Sequence, residues 1–76
     1  MEVAAVNEID VAYYSGEVLR KLINENYPSQ EEFAYDFGAD LRTISRYINE
    51  GGLTKTYKIQ ELAMFFNVSM KEFFPD

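Results

Sequence analysis

The sequence predicts an all-α fold, a compact bundle of five short helices, from three observations. Apolar residues recur at spacings of three and four along most of the chain, which places them on one face of a helix. Residues that open or close helices separate these stretches. The alternation of apolar and polar residues that is typical of strands is missing. With 76 residues, the chain makes one domain.

The beginning of the chain leaves two interpretations open. Its valines, isoleucine and alanines are compatible with an apolar helix, and a frayed, flexible terminus is an equal alternative. We therefore assign residues 1–14 to an N-terminal extension and residues 15–76 to the folded domain. Ser15 is expected to cap a first helix over residues 16–26, with apolar residues at Val18, Leu19, Leu22 and Ile23.

Two short helices joined by a tight turn are predicted for residues 29–47, SQEEFAYDFGADLRTISRY. Ser29 with Glu32 forms the pattern of a capping box ahead of an apolar run. Gly38 follows the last apolar residue, where a helix often ends in a left-handed conformation. Asp40 is the expected cap of the next helix, which Gly51 and the glycine after it terminate. This layout is that of a helix-turn-helix, whose second helix can enter the major groove of DNA.

Two further helices are predicted in the C-terminal third. Thr54 or Thr56 is expected to cap the fourth helix, whose buried residues are Tyr57, Ile59, Leu62, Ala63 and Phe66. Ser69 is expected to cap the fifth, where Met70, Phe73 and Phe74 close the core. Adjacent phenylalanines cannot both face inward on one helix, so we expect one of Phe65 and Phe66, and one of Phe73 and Phe74, to be partly exposed.

Composition excludes several classes of function. The chain has no cysteine and no histidine, which removes thiolate metal sites, disulfides, the commonest metal ligand and the usual general base at neutral pH. We therefore expect no enzyme activity, cofactor or metal. No stretch is apolar enough to span a membrane, and the acidic start is unlike a secretory signal, so a cytoplasmic protein is expected.

The net charge of −6 opposes DNA binding, because phosphate contacts normally require a basic surface. The charges are unevenly distributed, however. Residues 42–58 hold four basic residues against one acidic residue, whereas the first ten hold three acidic residues and no basic one. The basic residues therefore fall in and after the predicted second helix of the motif.

The chain resembles the phage repressor and Cro family, also called the xenobiotic-response-element family, from about residue 16 to residue 74. The resemblance is carried by Gln30, Phe33-Ala34, Phe37-Gly38-Ala39, Thr43-Ile44-Ser45-Arg46 and the later segment ELAMFFNVSMKEFF. The order and spacing of these features are specific, although none is specific alone. The residue Ile48 and the loop 49–53 depart from the family pattern. The resemblance implies sequence-specific binding of double-stranded DNA as a transcriptional regulator, most often a repressor.

The resemblance also implies roles for particular residues. The base-contacting positions fall on Leu41, Arg42 and Arg46, since arginine can bind a guanine edge and leucine a thymine methyl group. The phosphate-contacting positions fall on Ser29, Gln30, Thr43, Ser45, Lys55 and Lys58. A homodimer, formed in solution or only on DNA, would use Val68, Met70, Phe73 and Phe74. The acidic composition leaves an alternative, a protein-interaction module of the same fold, such as an antitoxin or an anti-repressor.

Overall fold

The computed structural model describes the backbone of residues 8–75 and the side chains of residues 11–75. All regular secondary structure in that part of the chain is helical, as the sequence predicts. The predicted number of five helices is wrong, because the fifth is a single turn of 3-10 helix. The elements are four α-helices, α1 (Glu8–Asn26), α2 (Gln30–Phe37), α3 (Leu41–Asn49) and α4 (Thr56–Phe66), and the C-terminal turn (Met70–Phe73). Within the described residues, no helix has the length and apolarity required to cross a membrane.

The first helix begins earlier than predicted, at Glu8 rather than at residue 16. The helical alternative was therefore correct for residues 8–14, whereas residues 1–7 lie outside the described part. Ser15 does not cap a helix; it is fully buried within α1, and its hydroxyl donates a hydrogen bond to the carbonyl oxygen of Phe73 at 2.6 Å. A buried serine is tolerated here because this carbonyl satisfies its hydroxyl. α1 is thereby joined to the C-terminal turn.

Gly16 sets the distance between α1 and α3. A Cβ atom at this position would overlap the carbonyl oxygen of Tyr47 and lie 3.1 Å from the Cα of Ile48. Only a glycine permits the two backbones to approach so closely. α1 therefore lies directly on the C-terminal half of α3.

The turn between α2 and α3 forms as the sequence predicts. The hydroxyl of Ser29 accepts a hydrogen bond from the Glu32 amide at 3.2 Å. Gly38 adopts a left-handed conformation with φ of 87°, and the carboxylate of Asp40 accepts from the Thr43 amide at 2.8 Å. Gly51 is also left-handed, with φ of 65°, and follows the end of α3. Local capping chemistry fixes both ends of this helix pair.

The core is aromatic and aliphatic, with Phe33 at its centre. The Phe33 ring lies 5.2–5.5 Å, between centroids, from the rings of Tyr27, Phe37, Phe65 and Phe66. Aromatic pairs at such distances stabilise a core beyond the area they bury. The remaining core residues are aliphatic or small, apart from Phe73: Leu19, Leu22, Ile23, Ala34, Ile44, Ile48, Leu53, Ile59, Leu62, Ala63 and Phe73.

Two predictions for α4 are wrong. Lys55 is the N-cap residue and makes no side-chain capping bond, so neither Thr54 nor Thr56 caps the helix. Tyr57 is 62% exposed instead of buried. The expectation for the phenylalanine pairs is confirmed, since Phe65 and Phe74 are more exposed than Phe66 and Phe73 respectively.

Candidate nucleic-acid interface

The three residues of α3 predicted to contact bases are all exposed. Arg42 and Arg46 lie on the side of the helix opposite the buried Ile44 and Ile48. Leu41 lies on the same side as the two isoleucines and is 44% exposed at the first position of the helix. Among the described residues, neither arginine forms an ion pair. Each guanidinium group offers the planar fork of donors that suits carboxylate, phosphate or a guanine edge.

A small groove borders α3 on the side of the loop that leads to α4. Its volume is about 250 Å³, and three of its lining residues are the cations Arg46, Lys55 and Lys58. The hydroxyl-bearing residues Thr43, Tyr47, Thr54 and Tyr57 complete its polar lining, together with Gly52 and Leu53. No carboxylate lines it. Cations and hydroxyl donors without a carboxylate form a surface that attracts anions such as phosphate.

Lys58 is only partly available in this groove. Its ammonium donates a hydrogen bond to Glu61 at 2.7 Å and lies 5.7 Å from the centroid of the Phe37 ring. This hydrogen bond to Glu61 is the main cause of the raised pKa of Lys58. The lysine stays charged, but the neighbouring carboxylate offsets part of that charge. Arg46 and Lys55 are thus the stronger candidates for binding an anion here.

Asp40 limits the positive charge at the start of α3. Hydrogen bonds from Thr43 lower the pKa of its carboxyl group, and the nearby Arg42 and Arg46 lower it further. The carboxylate is therefore ionised at neutral pH and reduces the positive potential next to the two arginines.

The remaining predicted phosphate contacts are dispersed. Ser29 and Gln30 are absent from the lining of the groove and begin α2, where Ser29 already serves as the cap. Two exposed acidic residues, Glu31 and Glu32, share that first turn and oppose an anion. Ser45 is half-buried, and its hydroxyl accepts a hydrogen bond from the side-chain Nδ2 of Asn49 at 3.2 Å. Of the six predicted residues, the groove brings together Thr43, Lys55 and Lys58.

The structure corrects the predicted dimer surface at one position. Phe73 is completely buried, so it cannot contribute to a subunit interface. Val68, Met70 and Phe74 are half-buried and pack against the core, and they still reach the surface. The larger exposed apolar side chains lie elsewhere, on α1, α2, the start of α3 and α4.

Sequence reasoning found Thr43 and missed the other three hydroxyl-bearing residues of the groove, Tyr47, Thr54 and Tyr57. Tyr57 was assigned to the core, although its position relative to Ile59 argues against this. Two residues along a helix correspond to a rotation of about 200°, which turns Tyr57 away from the face that Ile59 and Leu62 bury. Helical geometry was therefore a sufficient signal for Tyr57. For Thr54, which lies in a loop, no comparable signal exists.

Comparisons with known proteins do not identify a relative: no protein-family model, curated protein or solved structure matches this chain.

Proposed function

We propose that this chain is a helix-turn-helix protein that binds double-stranded DNA sequence-specifically and regulates transcription in the cytoplasm, as a repressor. The observation that carries the proposal is the groove beside α3, which has three cations and no carboxylate, in a chain of net charge −6. A groove whose lining holds cations and no carboxylate, in an otherwise acidic protein, is suited to a phosphate of a polyanion.

In the proposed mechanism, α3 contacts the bases and the groove binds the DNA backbone. In the major groove, Arg42 and Arg46 donate paired hydrogen bonds to guanine edges, and Leu41 contacts a thymine methyl group. Lys55 and the groove hydroxyls hold a backbone phosphate, which sets the position of α3 without reading sequence. Two copies on half-sites about 34 Å apart cover a promoter and exclude other proteins.

Selection from random duplex DNA at low salt tests the proposal. The protein should enrich a discrete sequence, and Arg46→Ala should weaken binding to it by about 1–3 kcal/mol and relax the preference at one base pair. Arg20→Ala is the matched control, because Arg20 is an exposed arginine on α1 that pairs with Glu17. Failure to enrich any sequence, or equal losses for Arg20→Ala and Arg46→Ala, would contradict the proposal.

A second candidate, a module that binds another protein, is favoured by one observation. A shallow groove of about 860 Å³ lies between the α2–α3 turn and α4, and Met64 at its edge is 72% exposed. Phe37 and Phe65 add aromatic surface to the same groove. Exposed apolar surface beside a groove is typical of protein-interaction sites. If the selection enriches no DNA sequence, binding to another protein becomes the favoured function.

A further inference from the structure

The loop between α3 and α4, residues 50–55, is folded back on the end of α3. The backbone amides of Glu50 and Gly52 both donate hydrogen bonds to the carbonyl oxygen of Arg46, at 3.0 and 3.1 Å. The next residue, Leu53, is buried in the core. The side chain of Arg46 lines the groove beside α3. The first half of the loop is therefore attached to the same residue that supplies one cation of the groove.

The helix α1 lies against the same loop. Gly51 is left-handed, and a Cβ atom at this position would lie 3.0 Å from Cε2 and 3.2 Å from Cζ of Tyr13. Carbon atoms in contact are normally about 3.5–4.0 Å apart, so the Tyr13 ring lies directly on the backbone of Gly51. Ala12 is buried and, with Thr54 and Lys55, lines a groove of about 410 Å³. α1 thus borders the loop from Gly51 to Lys55.

The position of Lys55 depends on this loop. Lys55 and Thr54 line the groove beside Arg46, and both are exposed. Two adjacent glycines, Gly51 and Gly52, precede them, and glycine permits more backbone conformations than any other residue. Contacts from outside the loop must therefore select the conformation that places Lys55 in the groove. A lysine that is already held in place binds an anion more tightly than one that must be ordered on binding.

We propose that Tyr13 is a positioning residue for the groove beside α3. Its ring packs on Gly51, restricts the loop and keeps Lys55 in the groove that Arg46 also lines. The inference rests on the proposed function, because it takes phosphate as the ligand of the groove. Removing the ring leaves every charge of the groove in place, so the long-range attraction of an anion is unchanged. The order of the loop is lost, and with it the close contact between Lys55 and the phosphate.

Titration with inorganic pyrophosphate, without DNA, tests this role. The backbone amide signals of Thr54 and Lys55 in NMR spectra report binding at the loop. Tyr13→Ala should weaken binding by about three- to tenfold, the effect of one side chain that must be ordered on binding. Tyr13→Phe should bind like the wild type, because the Tyr13 atoms nearest Gly51 are ring carbons. All variants are compared at a temperature at which circular dichroism shows them folded, so that unfolding does not contribute.

Tyr14→Ala is the matched control. Tyr14 is the next residue of α1, is 43% exposed where Tyr13 is 46% exposed, and lines a different groove beside the C-terminal turn. The substitution removes the same type of side chain from the same helix, at a position outside the lining of the groove beside α3. The affinity of this variant for pyrophosphate should equal that of the wild type.

Hydrogen exchange measures the order of the loop without any ligand. The Gly52 amide donates to the Arg46 carbonyl oxygen, so its exchange rate reports how often the loop separates from α3. Exchange at Gly52 should be faster in Tyr13→Ala than in the wild type, by about threefold or more. It should be unchanged in Tyr13→Phe and in Tyr14→Ala.

A wild-type chain whose loop binds no pyrophosphate would overturn the inference. So would a Tyr13→Ala variant with wild-type affinity or wild-type exchange at Gly52, a Tyr13→Phe variant as weak as Tyr13→Ala, or an equal loss in Tyr14→Ala. If pyrophosphate binding depends on Tyr13 as expected and the DNA selection enriches no sequence, the proposed function fails and the positioning role of Tyr13 stands.

Discussion

At the scale of single residues, two small side chains in α1 determine how the helix packs. Ser15 and Gly16 occupy the stretch of α1 that faces both the C-terminal turn and α3. A longer apolar residue in place of Ser15 would leave the Phe73 carbonyl without its partner, and a buried unsatisfied carbonyl is costly. Both residues act on parts of the chain that are distant in sequence, so neither role is visible in the local pattern.

Gly16→Ala should destabilise the protein by about 1–3 kcal/mol, the usual range for overpacking a tight site. Elsewhere in a helix the same change stabilises by about 0.5–1 kcal/mol, so the sign of the effect is diagnostic. Here the new methyl group would meet the backbone of α3, which cannot rotate away. Thermal unfolding followed by circular dichroism measures the change. Asn24→Ala, at an exposed position of α1, is the control and should not lower the melting temperature. A Gly16→Ala melting temperature equal to or above that of the wild type would refute the close approach of α1 and α3.

At the scale of elements, the helix pair α2 and α3 could be predicted from the sequence, but the bounds of α1 could not. Ser29, Gly38 and Asp40 act within four residues of their own positions, so the local sequence alone determines these helix ends. Ser15 has the same capping ability as Ser29, but the carbonyl of Phe73, 58 residues away, takes its hydroxyl. The local sequence around a serine cannot distinguish these two outcomes, because the hydrogen-bond partner of Ser15 is brought close only by the tertiary fold.

The residues of the candidate site, like the helix bounds, could be predicted only in part. Positions on one short helix follow from its periodicity, so the exposure of Arg42 and Arg46 was predicted correctly. Leu41 is also exposed, as predicted, but periodicity alone places it on the side of Ile44 and Ile48. The groove depends on where the loop after α3 places Lys55 and Thr54 against Arg46, and no local pattern encodes that placement. The burial of Phe73 likewise depends on α1, against which the C-terminal turn packs.

The cap of α3 gives stability a dependence on pH. Hydrogen bonds from Thr43 lower the pKa of Asp40 in the folded protein. A carboxyl group with a lowered folded-state pKa stabilises the fold above its unfolded pKa, which is about 3.9. That contribution disappears as the pH falls through the folded-state value. Asp40→Ala should therefore lower the melting temperature at pH 7, and its difference from the wild type should shrink below about pH 4.

Asp40→Asn is the matched control for this cap. The asparagine oxygen accepts the same hydrogen bond from the Thr43 amide without an ionisable group. Its melting temperature at pH 7 should exceed that of Asp40→Ala, and its advantage over Asp40→Ala should persist at low pH. A constant difference between Asp40→Ala and the wild type from pH 7 to pH 2 would show that the ionised carboxylate contributes nothing to the cap.

At the scale of the whole molecule, the distribution of charge matters more than its sum. The net charge of −6 repels DNA at long range, whereas in the proposed function the groove beside α3 binds phosphate at short range. Salt screens the long-range term within about 10 Å at 0.1 M. Non-specific binding should therefore be weak, and specific binding should depend on a small number of close phosphate contacts.

The salt dependence of operator binding measures how many contacts there are and which residues make them. The logarithm of the association constant falls against the logarithm of salt concentration with a slope of about −0.9 per neutralised phosphate. Lys55→Ala should reduce the magnitude of that slope by about one, because Lys55 is exposed in the groove. Lys58→Ala should change it less, since Glu61 already offsets part of the Lys58 charge. Arg20 lies outside the lining of the groove, so Arg20→Ala should leave the slope unchanged. Fluorescence anisotropy between about 50 and 200 mM salt measures all of these slopes. Equal slopes for the Lys55→Ala variant and the wild type would show that Lys55 in the groove contacts no DNA phosphate, even if the arginines of α3 contact the bases.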